Sequence, residues 1–129
     1  MKILITGGSG FIGLRLYKLL KNKFHVTIFD IRQPVESEVN FISGSIHDDQ
    51  KLSESIQGKD IVIHLAAAVG VKNTETNPIT TLDTNIIGTK KILENCAKHK
   101  IKKIIFSSSS EVYGEPKKIP TDELQTPIP

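Results

Sequence analysis

Short apolar runs rich in β-branched residues alternate along the chain with longer segments in which apolar residues recur every three or four positions. The short runs are typical of buried strands and the longer segments of amphipathic helices. The pattern predicts strands at 2–6, 24–30, 39–42, 61–65 and 104–106. It predicts helices at 11–20, 48–56 and 77–99, and irregular structure at 69–76 and after Tyr113. The apolar stripe of the longest helix is predicted to be Leu82, Ile86, Thr89, Leu93 and Cys96.

The order of these elements predicts the fold class. Alternation of strands and helices is typical of a parallel sheet with right-handed crossovers and helices on both faces. We therefore predict an α/β fold with a doubly wound parallel sheet of the Rossmann type, formed as one domain by residues 1–129. Ligands of such sheets bind at the carboxyl ends of the strands, so functional residues are expected there.

Composition and charge exclude several classes of function. The 129 residues include one cysteine, which excludes an internal disulfide and a multi-cysteine zinc site. The net charge of +3 is mild and most lysines are scattered, so no nucleic-acid surface is predicted. No apolar run approaches the roughly 20 residues of a membrane span, and the first residues do not resemble a signal peptide. No set of His, Asp or Glu residues has the spacing of metal ligands. These features together predict a cytoplasmic protein.

The first predicted strand runs directly into the glycine-rich segment GGSGFIG, in which Gly7, Gly10 and Gly13 recur at every third position. Glycine adopts the left-handed backbone of a tight turn at little cost and lets a phosphate approach the main chain. The helix that follows would present open N–H groups, including those of Phe11 and Ile12, and the positive end of its dipole to an anion. This strand–loop–helix context predicts a dinucleotide diphosphate site, and the alternative is a glycine turn without a ligand.

Asp30 ends the second predicted strand, 17 residues after Gly13. An acidic residue at about this distance hydrogen-bonds the ribose 2′-hydroxyl of NAD and repels the 2′-phosphate of NADP. Arg32 lies two residues further on and would weaken that repulsion. The position therefore favours NAD over NADP as the cofactor, and the alternative for Asp30 is a solvated acid at a strand end.

Five motifs occur in an order that resembles the extended short-chain dehydrogenase/reductase family, in its NAD-dependent epimerase/dehydratase branch. They are TGGSGFIG at 6–13, GSIHD at 44–48, HLAA at 64–67, NIIGT at 85–89 and FSSSSEVYG at 106–114. The resemblance spans nearly the whole chain. It implies a Rossmann fold, bound NAD and a nucleotide-sugar substrate.

The resemblance also implies roles for particular residues. Further cofactor-binding roles fall on Ile46, Leu65, Ala66, Ala67, Asn85 and Ser107. Ile46 is expected near the adenine, and Asn85 is expected to brace the loop after the fourth strand. Ser109 takes the position of the family's catalytic hydroxyl, with Ser108 or Ser110 as the alternatives within the serine run.

Two further positions, Ser45 and His64, lie in these motifs. Ser45 stands where the family usually has aspartate, which places the contact to the adenine amino group in doubt. His64 ends the fourth predicted strand, and a structural histidine with satisfied hydrogen bonds is favoured over a catalytic one.

The family's reaction uses a tyrosine and a lysine four residues later on one helix face, where the lysine lowers the pKa of the tyrosine. Tyr113 and Lys117 have this spacing, but Gly114 and Pro116 lie between them and prevent a helix. We therefore expect the family's tyrosine to follow shortly after Pro129 and the sheet to be incomplete at its carboxyl end. The chain alone is expected to be inactive and to associate with further copies as a homo-oligomer, because sheet surface would stay uncovered.

Three functions follow from these features. The first is the NAD-binding part of a nucleotide-sugar epimerase or dehydratase. The second is an NAD(P)-dependent carbonyl reductase of the same superfamily, which cofactor preference would distinguish. The third is a non-catalytic dinucleotide-sensing module, which would retain the glycines and Asp30 but would not need the hydroxyl of Ser109.

Overall fold

A five-stranded parallel sheet forms the centre of the protein in the computed structural model, which describes residues 1–128. The strands are Lys2–Thr6 (β1), His25–Asp30 (β2), Phe41–Ser43 (β3), Ile61–His64 (β4) and Lys103–Phe106 (β5). Their order across the sheet is β3-β2-β1-β4-β5, and every neighbouring pair is parallel. The chain therefore winds outward from β1 in both directions, which confirms the predicted doubly wound fold.

Five α-helices connect or follow the strands. They are Phe11–Leu20 (α1), Asp49–Ile56 (α2), Val71–Thr76 (α3), Pro78–Leu82 (α4) and Thr89–Lys98 (α5). The residues between α4 and α5, Asp83–Gly88, form a π-helical segment, and Ser110–Tyr113 form a single 3₁₀ turn. None of these helices is both long and apolar enough to cross a membrane, within residues 1–128.

The two faces of the sheet bury separate apolar clusters because side chains alternate along each strand. Ile3 and Ile5 of β1 point to one face and pack with α1, whose Tyr17 is also buried. Leu4 points to the other face, where the cluster includes Leu52 and Ile56 of α2 and Ile92 and Cys96 of α5. Because helices cover both faces of the sheet, the strands are nearly continuous apolar runs. This pattern made the strands recognisable in the sequence.

Cys96 is buried in this second cluster, as its place on the predicted apolar stripe indicated. Burial raises the pKa of its thiol to about 11. The thiol therefore stays protonated at neutral pH and acts as a small apolar side chain.

The segment 69–76 was predicted to be irregular, and that prediction was wrong because it contains α3. No residue of α3 is buried. Without a buried face there is no apolar periodicity, so the sequence carried no helical signal at this place.

The predicted helix at 77–99 is helical throughout α4, the π-helical segment and α5, but its apolar stripe was partly wrong. Leu82, Ile86 and Leu93 are exposed, whereas Ile92 and Cys96 are buried. The buried positions are Thr81, Gly88, Ile92 and Cys96, which keep a regular helical spacing. Thr81 and Gly88 are not apolar and gave no hydrophobic signal, so the predicted stripe began at the neighbouring Leu82 instead.

Candidate functional site

The carboxyl ends of the parallel strands open into a cleft of about 950 Å³, beside the switch point between β1 and β4 where the order of the strands reverses. Every residue assigned a role from the sequence lines this cleft. They are Gly7, Gly10, Phe11, Ile12, Gly13, Asp30, Ile46, Leu65, Ala66, Ala67, Asn85, Ser107 and Ser109. Residues more than a hundred positions apart in the chain are thus brought together at one edge of the sheet.

The glycine loop is shaped by contacts that leave no room for a side chain. Gly7 has φ of +67°, and a Cβ there would lie 2.6 Å from the backbone nitrogen of Ala66. A Cβ on Gly13 would lie 2.5 Å from the Cα of Gly8. Gly7 therefore lets the end of β1 pack directly against the segment that follows β4, and Gly13 lets α1 pack directly against the loop.

The loop delivers open N–H groups to the cleft at the beginning of α1. The N–H of Gly10 donates to the carbonyl of Gly7 at 3.1 Å, which closes the turn. Gly10 caps the helix without a side chain, and the first turn of α1 contains no acidic residue. The first N–H groups of a helix have no partner within it, so those of Phe11 and Ile12 are available to an anion.

Asp30 joins the glycine loop to the segment after β2. Its Oδ2 accepts the N–H of Ser9 at 3.0 Å, and its Oδ1 accepts the N–H of Arg32 at 3.0 Å. The hydroxyl of Ser9 donates to the carbonyl of Arg32 at 2.6 Å. An ionised carboxylate has about four lone-pair positions, so Asp30 can still accept hydrogen bonds from a bound ribose. The part played by Ser9 had no signal in the sequence.

Ile46 forms the wall of the cleft beyond β3 and is 6% exposed. A Cβ on Gly88 would lie 2.3 Å from the Cδ1 of Ile46, so the π-helical segment approaches this side chain through a glycine. The Oγ of Ser45 accepts the N–H of His47 at 3.2 Å, which holds the turn into α2. Sequence reasoning did not assign this packing role to Gly88.

Asn85 braces the loop after β4, as the resemblance implied. Its Oδ1 accepts the N–H of Ala68 at 2.8 Å, and its Nδ2 donates to the carbonyl of the same residue at 3.0 Å. The amide thus satisfies both backbone groups of Ala68. This two-point contact fixes the position of the loop relative to the π-helical segment.

His64 is a buried structural histidine, as predicted, with a partner for each ring nitrogen. Its Nδ1 lies 2.7 Å from the Oγ1 of Thr6, and its Nε2 lies 3.0 Å from the Oγ1 of Thr89. Phe106 of β5 packs against the ring at 5.8 Å between centroids. Burial lowers the pKa of His64, because the charged ring would lose its hydration.

This burial predicts a loss of stability in mild acid. His64 has a lower pKa in the folded chain than its usual value of 6.5, so the unfolded chain binds more protons once the pH falls below that value. The contribution of the neutral ring is complete above pH 6.5 and is lost as the pH falls towards the folded-state pKa. Urea unfolding of the wild type at a series of pH values is expected to show this loss, and His64→Gln is expected to lack it. His25→Gln, which changes an exposed histidine, is the control, and an identical pH slope in His64→Gln and wild type would contradict the assignment.

The serine run enters the cleft after β5. The N–H of Ser107 points to the carbonyl of His64 at 3.4 Å, which continues the pairing of β5 with β4. Ser107, Ser108 and Ser109 line the cleft. The Oγ of Ser109 accepts the N–H of Glu111 at 3.3 Å and so caps the 3₁₀ turn. Its hydroxyl proton remains available to a group in the cleft.

Tyr113 and Lys117 do not share a helix. The 3₁₀ turn ends at Tyr113, and Gly114 follows with φ of +60°. The other tyrosine, Tyr17, is buried in α1 and donates its hydroxyl to the carbonyl of Glu38 at 3.2 Å. Within residues 1–128, no group of three or more His, Cys, Asp or Glu side chains is placed to hold a metal ion.

Comparisons with known proteins show what this chain is similar to. The family described as "NAD dependent epimerase/dehydratase family" matches residues 3–129. A putative UDP-glucose 4-epimerase of Methanocaldococcus jannaschii is 42% identical over 94% of this chain and 42% of its own length. The UDP-glucose 4-epimerase of Halalkalibacterium halodurans is 39% identical over all of this chain and 41% of its own length.

A crystal structure of the UDP-glucose 4-epimerase of Brucella ovis in complex with NAD superposes with a TM-score of 0.87 at 30% identity. The match covers 99% of this chain and 42% of that protein. The chain thus spans about two fifths of the length of its relatives. From the family match over nearly all of its residues, this chain is a member of the NAD-dependent epimerase/dehydratase family.

Proposed function

We propose that this chain forms the NAD-binding part of an enzyme that epimerises or dehydrates nucleotide sugars. The observation that carries the proposal is the arrangement of two complementary groups in one cleft. The open N–H groups at the beginning of α1 suit a diphosphate, and the Asp30 carboxylate beside them suits the hydroxyls of the adjoining ribose. The names of the relatives support a nucleotide sugar as the substrate class of the whole protein.

The glycine loop fits such a cofactor because it carries no side chains at positions where they would crowd the turn. A Cβ on Gly10 would lie 3.2 Å from the carbonyl oxygen of Gly7, so a side chain there would crowd the turn. Ala66 and Ala67 also line the cleft, and their small side chains leave space for the cofactor there. Phe11 and Ile12 contribute their backbone N–H groups, so their side chains are free to face outward.

The proposed arrangement along the cleft follows the position of each wall. Ile46 offers an apolar surface to the adenine, and Asp30 accepts from the ribose. Leu65, Ala66 and Ala67 line the path towards Ser107 and Ser109, where the nicotinamide and the sugar would meet. Asn85 supports this path by holding the loop. When bound, NAD supplies reversible hydride acceptance from a sugar carbon.

Ser109 is proposed as the catalytic hydroxyl. Its oxygen already accepts one backbone N–H, which fixes the side chain towards the cleft. Its proton can then be donated to the reacting oxygen of the sugar, which orients that oxygen and stabilises charge that develops on it. Ser108 also lines the cleft and is the alternative position.

Titration of the protein with NAD in a calorimeter tests the proposal. We expect a single binding event with NAD and weaker binding of NADP, because the 2′-phosphate would approach the Asp30 carboxylate. Arg32 also lines the cleft and would reduce the difference between the two cofactors without reversing it. No heat with either cofactor, or tighter binding of NADP, would contradict the proposal.

We also propose that these 129 residues bind NAD without turning over a nucleotide sugar. Tyr113 and Lys117 do not share a helix. Tyr17 is followed by Lys21 on one face of α1, but its hydroxyl donates to the carbonyl of Glu38 and lies outside the cleft, so neither tyrosine is placed to remove a sugar proton. Incubation with UDP-glucose and NAD is expected to give no epimerised product. The epimerase of Halalkalibacterium halodurans serves as the positive control in the same assay, and turnover by this chain above the blank would contradict the proposal.

A second copy of the chain is the further partner that we propose. Ile105 and Phe106 of the edge strand β5 are about half exposed, as are Leu82 of α4 and Ile86 of the π-helical segment. Exposed apolar side chains concentrated on a few elements favour association. Light scattering is expected to show a species larger than a monomer, and a monomer at high concentration would contradict this.

A further inference from the structure

His64 and five other residues form one continuous path of hydrogen bonds. The path begins at the N–H of Ala66, passes through Thr6, His64 and Thr89 to Asn85, and returns through the Asn85 side chain to Ala68. Both of its ends therefore lie on residues 65–68, which we call the wall segment because Leu65, Ala66 and Ala67 line the cleft after β4. His64 joins Thr6 of β1 to Thr89 at the beginning of α5.

The bond of Thr89 to Asn85 fixes the direction of the bond between Thr89 and His64, and a neutral ring then fixes the bond to Thr6. The hydroxyl of Thr89 donates its only proton to the backbone carbonyl of Asn85 at 2.7 Å. Thr89 can therefore only accept from His64, and the Nε2 of the ring must carry a proton. In a neutral ring with its proton on Nε2, the Nδ1 has a lone pair and accepts the hydroxyl proton of Thr6, whose Oγ1 also receives the N–H of Ala66 at 3.4 Å.

We propose that His64 is a positioning residue of the cofactor site, which holds the wall segment in place as a neutral ring with its proton on Nε2. This inference rests on the proposed function for its consequence, because the wall segment borders the proposed nicotinamide path. The Nδ1 accepts from Thr6, and the Nε2 donates to Thr89. A ring with two N–H groups would leave the Thr6 proton without its acceptor, and a proton on Nδ1 alone would leave Thr89 without a donor.

The position of the wall segment matters because the glycine loop packs directly on it. A Cβ on Gly7 would lie 2.6 Å from the nitrogen of Ala66, so the two backbones are in contact. On its far side the wall segment is held by the two hydrogen bonds between Ala68 and Asn85. A displacement of Thr89 or His64 would therefore change the width of the cleft between the diphosphate loop and the wall.

The environment of the ring suits this role. Thr6 faces it from β1, Thr89 from α5 and Phe106 from β5, and none of these side chains is ionisable. The residue is 3% exposed. The backbone bends into a π-helical segment at the point where Asn85 reaches the wall, and such irregular turns occur preferentially at functional sites.

A pair of substitutions at Thr89 tests the proposal. Thr89→Val removes the hydroxyl while keeping the shape of the side chain, and Thr89→Ser keeps the hydroxyl. Thr76→Val is the matched control, because the hydroxyl of Thr76 makes the same bond to the carbonyl four residues earlier but lies outside the cleft. The ¹⁵N resonances of the His64 ring, amide exchange at Ala66 and Ala68, and NAD affinity are measured in each variant.

We expect His64 in the wild type and in Thr89→Ser to carry its proton on Nε2 alone at neutral pH. In Thr89→Val, amide exchange at Ala66 and Ala68 is expected to accelerate roughly tenfold, and NAD binding to weaken by about the same factor, as for one buried polar group that loses its partner. Thr76→Val is expected to change neither.

A proton on Nδ1 in the wild type, or unchanged exchange at both alanines in Thr89→Val, would overturn the proposal. The exchange and ring measurements need no cofactor. A wild type that binds no NAD would therefore defeat the proposed function while the role of His64 in holding the wall segment is still decided by these two measurements.

Discussion

Gly7→Ala is expected to destabilise the folded protein by about 2–5 kcal/mol, the sum of two separate costs. The first is the left-handed backbone at φ of +67°, which a Cβ disfavours. The second is overpacking, because the new methyl would lie 2.6 Å from the backbone nitrogen of Ala66. Backbone cannot rotate away as a flexible side chain would, so either β1 or the wall segment must move, and NAD binding is expected to be lost.

Gly58→Ala separates these two costs. Gly58 has φ of +71°, nearly the same as Gly7, but a Cβ there would meet nothing within 4 Å. This control is expected to lose only about 1–2 kcal/mol from backbone strain. Urea unfolding of both variants measures the difference. Equal losses in the two variants would show that the close approach of Gly7 to the wall segment carries no cost.

Asp30→Ala is expected to weaken NAD binding roughly 10- to 100-fold, the range for hydrogen bonds to a charged group. The variant also leaves the N–H groups of Ser9 and Arg32 without the acceptors that join the glycine loop to β2. Binding of NADP is expected to weaken less, because the carboxylate no longer repels the 2′-phosphate. The ratio of the two dissociation constants is therefore the decisive quantity.

Glu54→Ala is the matched control for charge. Glu54 is exposed on α2, bonds only to Gln50 among the described contacts, and does not line the cleft. It removes the same negative charge, so a general electrostatic effect would appear in both variants. If Asp30→Ala kept the wild-type preference for NAD over NADP, the ribose contact assigned to Asp30 would be wrong.

The features predicted well from the sequence are those that a few neighbouring residues determine. The glycine loop requires only a strand, three glycines at fixed spacing and the first turn of a helix, and all of these lie within 13 residues. Asp30 is placed by the length of one strand–helix–strand unit. All the assigned residues then meet in one cleft because the carboxyl ends of parallel strands lie at the same edge of the sheet.

The features that the sequence did not predict depend on contacts between distant residues or lie where burial does not follow the apolar pattern. The path through His64 joins Thr6 to Thr89, and neither threonine has a local signal that names its partner. In the long helix, Leu82 and Leu93 were placed on the buried face, whereas their neighbours Thr81 and Ile92 are buried and the two leucines are exposed. Helix α3 has no buried face, so no pattern of apolar residues could indicate it.

The central claim is that open backbone N–H groups at the beginning of α1 hold the diphosphate of NAD. Amide ¹H–¹⁵N spectra recorded during a titration with NAD test it most directly, residue by residue. The amides of Gly10, Phe11 and Ile12 are expected to shift, while those of Gly58 and Gly70, which lie outside the cleft, are expected to stay in place. Saturation with NAD that leaves the three loop amides unmoved would contradict the claim.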